Sequence, residues 1–267
     1  MNKTFYFGAG ALALFALMAL LAPWIAPYDP YRQELLFGLN TPDAAHWMGR
    51  DQLGRDLLSR VIHGSSVSLV VGFLAISISA SVGIIVGGLA GALGGKVDGV
   101  IMRFIDIVMA FPGILLAISI MSILGPGLSN VIFALCLTGW VGFARITRGQ
   151  ILSLREREYV IAASAAGAHE GRILLFHYLP NAAAPLLIEA AFGMAAVIVA
   201  EAGLSFLGLG IQPPAPSWGA MLNEGRPFLL IAPHLTAFPG LCLMLLVLAI
   251  NLTADGLRDI LDPKSKC

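Results

Sequence analysis

Residues 64–95 read GSSVSLVVGFLAISISASVGIIVGGLAGALGG, a stretch of 32 residues without a charged side chain. A transmembrane helix needs about 20 consecutive apolar residues, so this stretch is long enough to cross a bilayer. The rest of the chain has the same character, because 58% of its 267 residues are hydrophobic and 12% are charged, against about 25% charged in an ordinary globular domain. The composition therefore excludes an ordinary soluble fold and favours a single membrane domain over residues 1–267.

Further gaps between charged residues predict the other spans. The gap over 107–144 is too long for one helix, and Gly125-Pro126-Gly127 divides it into two spans. The sequence thus predicts an all-α, polytopic membrane protein with an external loop at 27–65 and a cytoplasmic loop at 149–180. The six predicted transmembrane helices lie at about 4–26, 66–94, 104–124, 128–148, 182–208 and 230–254.

The basic residues predict the orientation of these six spans. One side of the membrane receives eleven of them: Lys3, Lys96, Arg103, Arg145, Arg148, Arg155, Arg157, Arg172, Arg258, Lys264 and Lys266. The other receives five: Arg32, Arg50, Arg55, Arg60 and Arg226. Because the more basic side faces the cytoplasm, both termini are expected there. A secretory signal is the alternative for the first span; we favour a retained span because no clear small-residue cleavage site is present and Pro23 and Pro27 follow.

The sequence shows no motif for a nucleotide site, a metal site or a disulfide framework. The only Gly-Lys pair, Gly95-Lys96, has Ala90 and Val97 where a P-loop needs glycine and Ser or Thr, so this chain is not expected to bind ATP and magnesium by that motif. The histidines are scattered without a metal-binding spacing: His46, His63, His169, His177 and His234. The cysteines show no paired spacing either: Cys136, Cys242 and Cys267. We therefore expect no catalytic site, no metal site and no bound cofactor.

Two acidic residues in the fifth predicted span, Glu189 and Glu201, favour an alternative class, an ion-coupled transporter or channel. They are 12 positions apart, or about 18 Å along a helix, so they cannot form one site. A structural role is the more economical expectation. Glu189 would pair with a base near the cytoplasmic end, and Glu201 would hydrogen-bond to neighbouring helices near the external end.

Glycines recur every fourth residue in the second span. They are Gly83, Gly87, Gly91 and Gly95. Small residues at this spacing form one stripe of a helix, which lets another helix approach closely in lipid. The stripe predicts tight helix packing, either within this chain or with a partner.

A small-residue segment follows alternating charges in the cytoplasmic loop. It reads REREYVIAASAAGAHEG over residues 155–171, and its alanines favour a short helix that Gly167 would end. Such a helix could insert into a cleft on a soluble partner or could lie on the surface without one.

The cytoplasmic loop also carries a resemblance. Glu158-Tyr159-Val160-x-Ala162-Ala163-x-x-x-Gly167, followed by His177-Tyr178-Leu179-Pro180-Asn181, resembles the coupling loop of permease subunits in binding-protein-dependent ABC importers. The generic motif has Glu where this chain has Ile161 and isoleucine where it has His177, and both departures are usual in the peptide and nickel branch. The resemblance implies ATPase-coupling roles for Glu158, Tyr159, Ala162, Ala163, Gly167, Leu179 and Pro180.

Three further segments extend the resemblance over nearly the whole chain. The external motif is Gly49-x-Asp51-x-x-Gly54-Arg55-Asp56-x-x-Ser59-Arg60, with Arg50 where relatives often have threonine. The fifth-span motif over 201–219 includes Glu201, Ser205, Gly208, Gly210 and Trp218. The last is Gly256-Leu257-Arg258-Asp259-x-Leu261-Asp262-Pro263.

The resemblance implies the second (C-type) permease subunit of an ABC importer with the type I permease fold, located in a bacterial inner membrane. Its implied partners are a second homologous permease, two cytoplasmic ATPase subunits that bind ATP and magnesium, and an extracytoplasmic solute-binding protein. Di- or oligopeptides are the first choice of substrate and nickel is the alternative. Nucleic acid is not an expected partner.

Overall fold

The computed structural model describes residues 3–261, and only the backbone of Lys3. Asp262, Pro263, Lys264, Lys266 and Cys267 lie outside the described residues. Within the described range, β-structure is limited to an isolated bridge between Arg50 and Asp56, so the predicted all-α class is confirmed. The helices are α1 (Lys3–Leu20), α2 (Ala22–Ile25), α3 (Leu57–Leu93), α4 (Gly95–Met109), α5 (Gly113–Leu124), α6 (Leu128–Arg155), α7 (Glu158–Ala165), α8 (Glu170–Ile173), α9 (Leu179–Phe206), α10 (Trp218–Gly225) and α11 (His234–Leu261).

Four described helices are long and apolar enough to cross a membrane: α3, α6, the helical stretch Glu170–Phe206 and α11. A fifth span is obtained if α4 and α5 are counted together, although they are bent by 80°. The first predicted span corresponds to a shorter apolar helix, Thr4–Leu20. The count of six therefore stays a prediction.

The predicted span 104–124 is not one straight helix. The break between α4 and α5 falls at Ala110 to Pro112. Proline lacks the backbone N–H of a helical residue and disfavours helical geometry in the residue before it, which ends α4 near Met109.

Both predicted loops are shorter than expected because helices extend into them. The external loop ends at Asp56, whose side chain accepts a hydrogen bond from the Ser59 N–H at 2.8 Å and so caps α3. The cytoplasmic loop contains the end of α6, then α7 and α8, and a π-helical turn over Leu174–Tyr178 that runs into α9.

The glycine stripe packs α3 against α6 within this chain. A side chain at Gly83 would overlap Phe143 and the Trp140 carbonyl, and one at Gly87 would overlap the backbone of Ala144. The predicted fourth member of the stripe, Gly95, is different. It follows the end of α3 with φ +54°, and no atom lies within 4 Å of the place its Cβ would occupy. Gly95 therefore belongs to the turn into α4 and makes no close helix contact.

The third close approach along the stripe involves Gly91. A Cβ at Gly91 would lie 2.9 Å from the Cβ of Ile151 on α6. The seam thus runs over Gly83, Gly87 and Gly91, and it leaves little freedom between the two helices.

The two ends of the described chain lie at the same end of the molecule. A Cβ built on Gly8 of α1 would lie 2.6 Å from the backbone nitrogen of Thr253, and one on Gly256 would lie 2.5 Å from the Cβ of Phe5. The start of α1 therefore lies beside the end of α11, so these helices run antiparallel.

Candidate functional site

Four charged residues form one buried network, here called the external charge cluster because three of them lie in the predicted external loop: Asp51, Arg55, Arg60 and Glu224. The Asp51 carboxylate accepts hydrogen bonds from Arg55 at 2.5 Å and from Arg60 at 2.8 Å. The Glu224 carboxylate accepts from the same two side chains at 2.9 and 3.1 Å. The two positive and two negative charges therefore alternate around a closed set of contacts.

The two arginine side chains of the cluster are buried and therefore need their carboxylate partners. The side chains of Arg55 and Arg60 are 1% and 0% exposed, and a buried guanidinium is tolerated only when it is paired. Glu224 of α10 is absent from the predicted site residues. It was missed because it lies 164 positions after Arg60. No local pattern in the sequence singles out Glu224 as a partner of these arginines.

The external segment, residues 27–56, is held by local contacts that explain the rest of its motif. Gly54 has φ +73°, and a Cβ there would collide with the backbone of Glu34. Arg50, which had no expected role, donates to Glu34 at 2.5 Å and lies over the ring of Phe37. The Nδ1 of His46 lies 2.7 Å from Asp56.

Two carboxyl groups of this segment have lowered pKa values. The side-chain hydrogen bond from Arg50 lowers the pKa of Glu34. The backbone N–H groups of His46 and Ala45 lower the pKa of Asp43, whose carboxylate they contact at 2.6 and 2.8 Å. Both groups thus favour the ionised form in the folded segment.

The fifth-span motif is a packing unit at the carboxyl end of α9. Trp218 is fully buried and donates from Nε1 to the Val61 carbonyl at 2.9 Å, next to Gly64, where a Cβ would lie 2.8 Å from the indole. This contact joins α10 to α3. Gly208, with φ +79°, ends the helical turn after α9.

Glu201 has a partner on its own helix. The Ser205 hydroxyl donates a hydrogen bond to the Glu201 carboxyl group at 2.8 Å. For this bond, the expectation of a partner from a neighbouring helix is wrong. A side chain at Gly210 would overlap Ser205, so the chain after α9 folds back tightly over this pair.

Glu189 lies in a different environment. It lines a cavity of about 360 Å³ between α3, α5, α6 and α9. Within residues 3–261 no basic side chain is paired with it, so the expected pairing with a cytoplasmic base is not formed by the described chain. The sequence thus singled out this acidic residue correctly, but the structure surrounds it with an open cavity in place of the expected basic partner.

The predicted coupling helix exists as α7 and is exposed on most of its surface. Tyr159 and Ile161 are 44% and 55% exposed, and Glu158 and Ala162 are also exposed. Val160 alone is fully buried, in a small core that anchors the helix: Ile151, Val160, Ile173 and Tyr178. The segment is therefore fixed to α6, to α8 and to the π-helical turn before α9, while its outer face is open.

The other predicted coupling residues lie on either side of this anchor. Gly167 has φ +83° and ends α7, and no atom lies within 4 Å of the place its Cβ would occupy. Its N–H donates to the Ser164 carbonyl at 2.9 Å. Leu179 and Pro180 form the first turn of α9, directly after the π-helical turn in the continuous helical stretch Glu170–Phe206.

The chain is similar to known proteins in sequence and in fold. Residues 83–266 match the family described as binding-protein-dependent transport system inner membrane component. Residues 1–42 match the N-terminal TM domain of oligopeptide transport permease C. Similar curated proteins include the glutathione transport system permease protein GsiD of Escherichia coli O6:K15:H31 (strain 536 / UPEC) and of Shigella boydii serotype 4 (strain Sb227). Each is 47% identical over 254 residues, which cover 95% of this chain and 84% of the relative.

A solved structure has the same fold. The chain is similar to one from the MetNI methionine ABC transporter in an inward facing conformation, with TM-score 0.62 and 19% identity over 76% of this chain and 96% of that chain. The chain therefore belongs to the family of inner membrane components of binding-protein-dependent transport systems, and it is a multi-pass permease subunit of an ABC importer.

Proposed function

We propose that this permease forms, with a second homologous permease, a translocation path for di- or oligopeptides. The observation that carries the substrate class is the 47% identity to a permease named for glutathione transport, since glutathione is a tripeptide. The match of residues 1–42 to an oligopeptide permease domain supports the same class. These relatives favour peptide over nickel.

Two cytoplasmic ATPase subunits would supply the energy and hold the ATP and magnesium. Their contact on this chain would be the outer face of α7 with Gly167, because that surface is exposed while Val160 packs against Ile151 of α6 and Tyr178 of the π-helical turn. ATP binding would favour one of two arrangements of the spans, which is alternating access by population shift. A solute-binding protein would deliver the substrate to the external face.

The proposed orientation places both termini in the cytoplasm of a bacterial cell. The excess of basic residues on one side supports it, and so does the proximity of Phe5 to Gly256. The external charge cluster would then face the solute-binding protein's side of the membrane.

The test is reconstitution with the homologous permease, the two ATPases and the binding protein of the same importer. Proteoliposomes should take up labelled glutathione or trialanine only when ATP is supplied on the ATPase side. ATP-driven uptake of nickel without peptide uptake would favour the nickel alternative. Ion-driven flux through this chain alone, without ATPases, would contradict the importer assignment and favour a coupled transporter or channel.

A further inference from the structure

A groove runs along one face of α9. The cavity beside Glu189 shares Ile114, Ala196 and Ala200 with a second open cavity of about 590 Å³. The second cavity continues to Gly203 and reaches Asn251 of α11. The two cavities therefore adjoin along α9, and together we call them the α9 groove.

Glu189 and a series of small α9 residues lie on one helical face that lines the groove: Glu189, Gly193, Ala196, Ala200 and Gly203. Their spacing of 4, 3, 4 and 3 positions keeps them in a single row. Larger α9 residues line the sides of the groove: Phe192, Val197 and Val199. The first and last residues of the row are 14 positions apart, or about 21 Å along the helix, against a hydrocarbon thickness of about 30 Å. A groove of this length is suited to carry a solute across most of the membrane.

Glu189 is the one charged side chain among the described residues that line the groove. Glycines surround it: a Cβ at Gly142 on α6 would lie 2.6 Å from its Oε1, and Gly139 and Gly193 line the same cavity. A carboxyl group inside a membrane span is costly unless it has a partner or a function. Here the glycines keep space open beside it, and the described chain supplies no base.

We propose that the carboxylate of Glu189 binds the ammonium group of the peptide as it passes through the α9 groove. The inference rests on the proposed function, because it takes a peptide with a free amino group as the solute. The cavity at Glu189, about 360 Å³, lies within the range of small-molecule sites, which are concave, mostly apolar and carry a few polar groups. Thr138 is a second polar group in its lining.

The experiment compares two solutes that differ in the ammonium group alone. Proteoliposomes with the complete importer are given labelled trialanine or its des-amino analogue, propionyl-Ala-Ala. Glu189→Gln should lower trialanine uptake about tenfold, the usual scale for loss of one charge-assisted hydrogen bond. Uptake of the analogue should change little. Because the binding protein is the same throughout, the change in the ratio of the two rates reports on the permease.

Glu201→Gln is the matched control. It makes the same chemical change in the same helix, but Glu201 is fully buried against Ser205 and does not line the groove. Its ratio of trialanine to analogue uptake should equal that of the wild type. Glu189→Asp, which keeps the charge, should recover part of the preference.

A second measurement uses the unaltered chain. A hydrophobic carbodiimide should modify Glu189 in the assembled importer, and saturating trialanine should slow that modification while the analogue does not. Protection by both solutes alike, or an equal fall in the uptake of both with Glu189→Gln, would overturn the proposal. So would loss of the second permease from the Glu189→Gln complex, which would indicate an ion pair between subunits. Absence of peptide uptake by the wild-type importer would overturn the proposed function and this inference together.

Discussion

The carboxylate of Glu224 accepts a hydrogen bond from Arg60, 164 positions earlier in the chain, at 3.1 Å. Arg60 lies in the first turn of α3, and Glu224 lies in α10, between α9 and α11. The same carboxylate binds Arg55, which is also bound to Asp51. The external charge cluster therefore ties the external segment, α3 and the connection after α9 into one unit, which is expected to move as a body during transport.

Removing Glu224 should be strongly destabilising. Glu224→Leu leaves Arg55 and Arg60 buried with only Asp51 between them, and loss of one member of a buried charge network costs about 3 to 5 kcal/mol. The apparent Tm of the purified chain in detergent should fall by roughly 10 °C or more.

Glu34→Gln is the matched control for that variant. Glu34 also pairs with arginine, but its side chain is 30% exposed, so water can replace the lost contact and the fall in Tm should be much smaller. Equal decreases for the two variants would contradict the buried network.

Acid should loosen the external segment. The pKa values of Glu34 and Asp43 are lowered in the folded state, so these groups contribute stability above their ordinary values of about 4. That contribution is lost as the pH falls through the lower, folded-state values. Hydrogen exchange of residues 27–56 should therefore accelerate, after correction for intrinsic rates, as the pH is lowered below about 4.

Asp43→Asn separates this effect from general acid unfolding. The variant lacks one of the two titrating groups, so the dependence of exchange on pH in this segment should weaken. An identical pH dependence in the variant would exclude Asp43 as a contributor.

The glycine seam gives a prediction about helix packing. Gly87→Leu places a branched side chain where the backbone of Ala144 lies, and overpacking of this kind costs about 1 to 3 kcal/mol or more. The yield of monodisperse protein in detergent should drop. Gly99→Leu on α4 is the control, because no atom lies within 4 Å of its added Cβ. Unchanged yield for Gly87→Leu would contradict the seam between α3 and α6.

The elements that the sequence predicted well depend on local patterns. Long apolar runs predicted the membrane helices, and the four-residue glycine spacing predicted the close approach at Gly83 and Gly87. Gly95 has the same spacing but lies past the end of α3, so its place in the stripe could not be judged without the helix boundary. Pro112 was a visible signal for the break in the third predicted span, yet the apolar run around it concealed the 80° bend.

Partners that are distant in the chain could not be predicted. Glu224 has no neighbour in sequence that suggests two arginines, and their contact exists only because α10 folds back over α3. The surroundings of Glu189 are a similar case. The sequence marks an acidic residue in an apolar span, but the open cavity beside it depends on glycines from three other positions: Gly113, Gly139 and Gly142.

Membrane topology can be checked at the carboxyl end. The start of α1 lies beside the end of α11, and the basic residues favour the cytoplasm for that end. A cytoplasmic reporter fused after Cys267 should be active, and a periplasmic reporter at the same place should be silent. A fusion within the external segment, at Leu36, is the control and should give the opposite pattern. Periplasmic activity at Cys267 would contradict the proposed orientation.

Coupling to the ATPases gives the last prediction. Gly167→Trp should prevent α7 from seating in a cleft on an ATPase, because overpacking a fitted contact costs about 1 to 3 kcal/mol and reduces occupancy roughly tenfold or more. Glu158→Ala should act more mildly, since an exposed ion pair contributes about 0 to 1 kcal/mol. ATPase association and solute uptake should fall together in the reconstituted importer.

Backbone strain must be separated from the steric effect at Gly167. Its φ of +83° disfavours any side chain, at a cost of about 1 to 2 kcal/mol. Gly167→Ala carries the strain without the bulk, so it should retain more association and uptake than Gly167→Trp. Ala162→Trp carries the bulk without the strain, because Ala162 is an exposed residue of α7, and it should reproduce the loss. Full uptake with both tryptophan variants would refute docking at α7 and leave this helix as a surface element anchored by Val160.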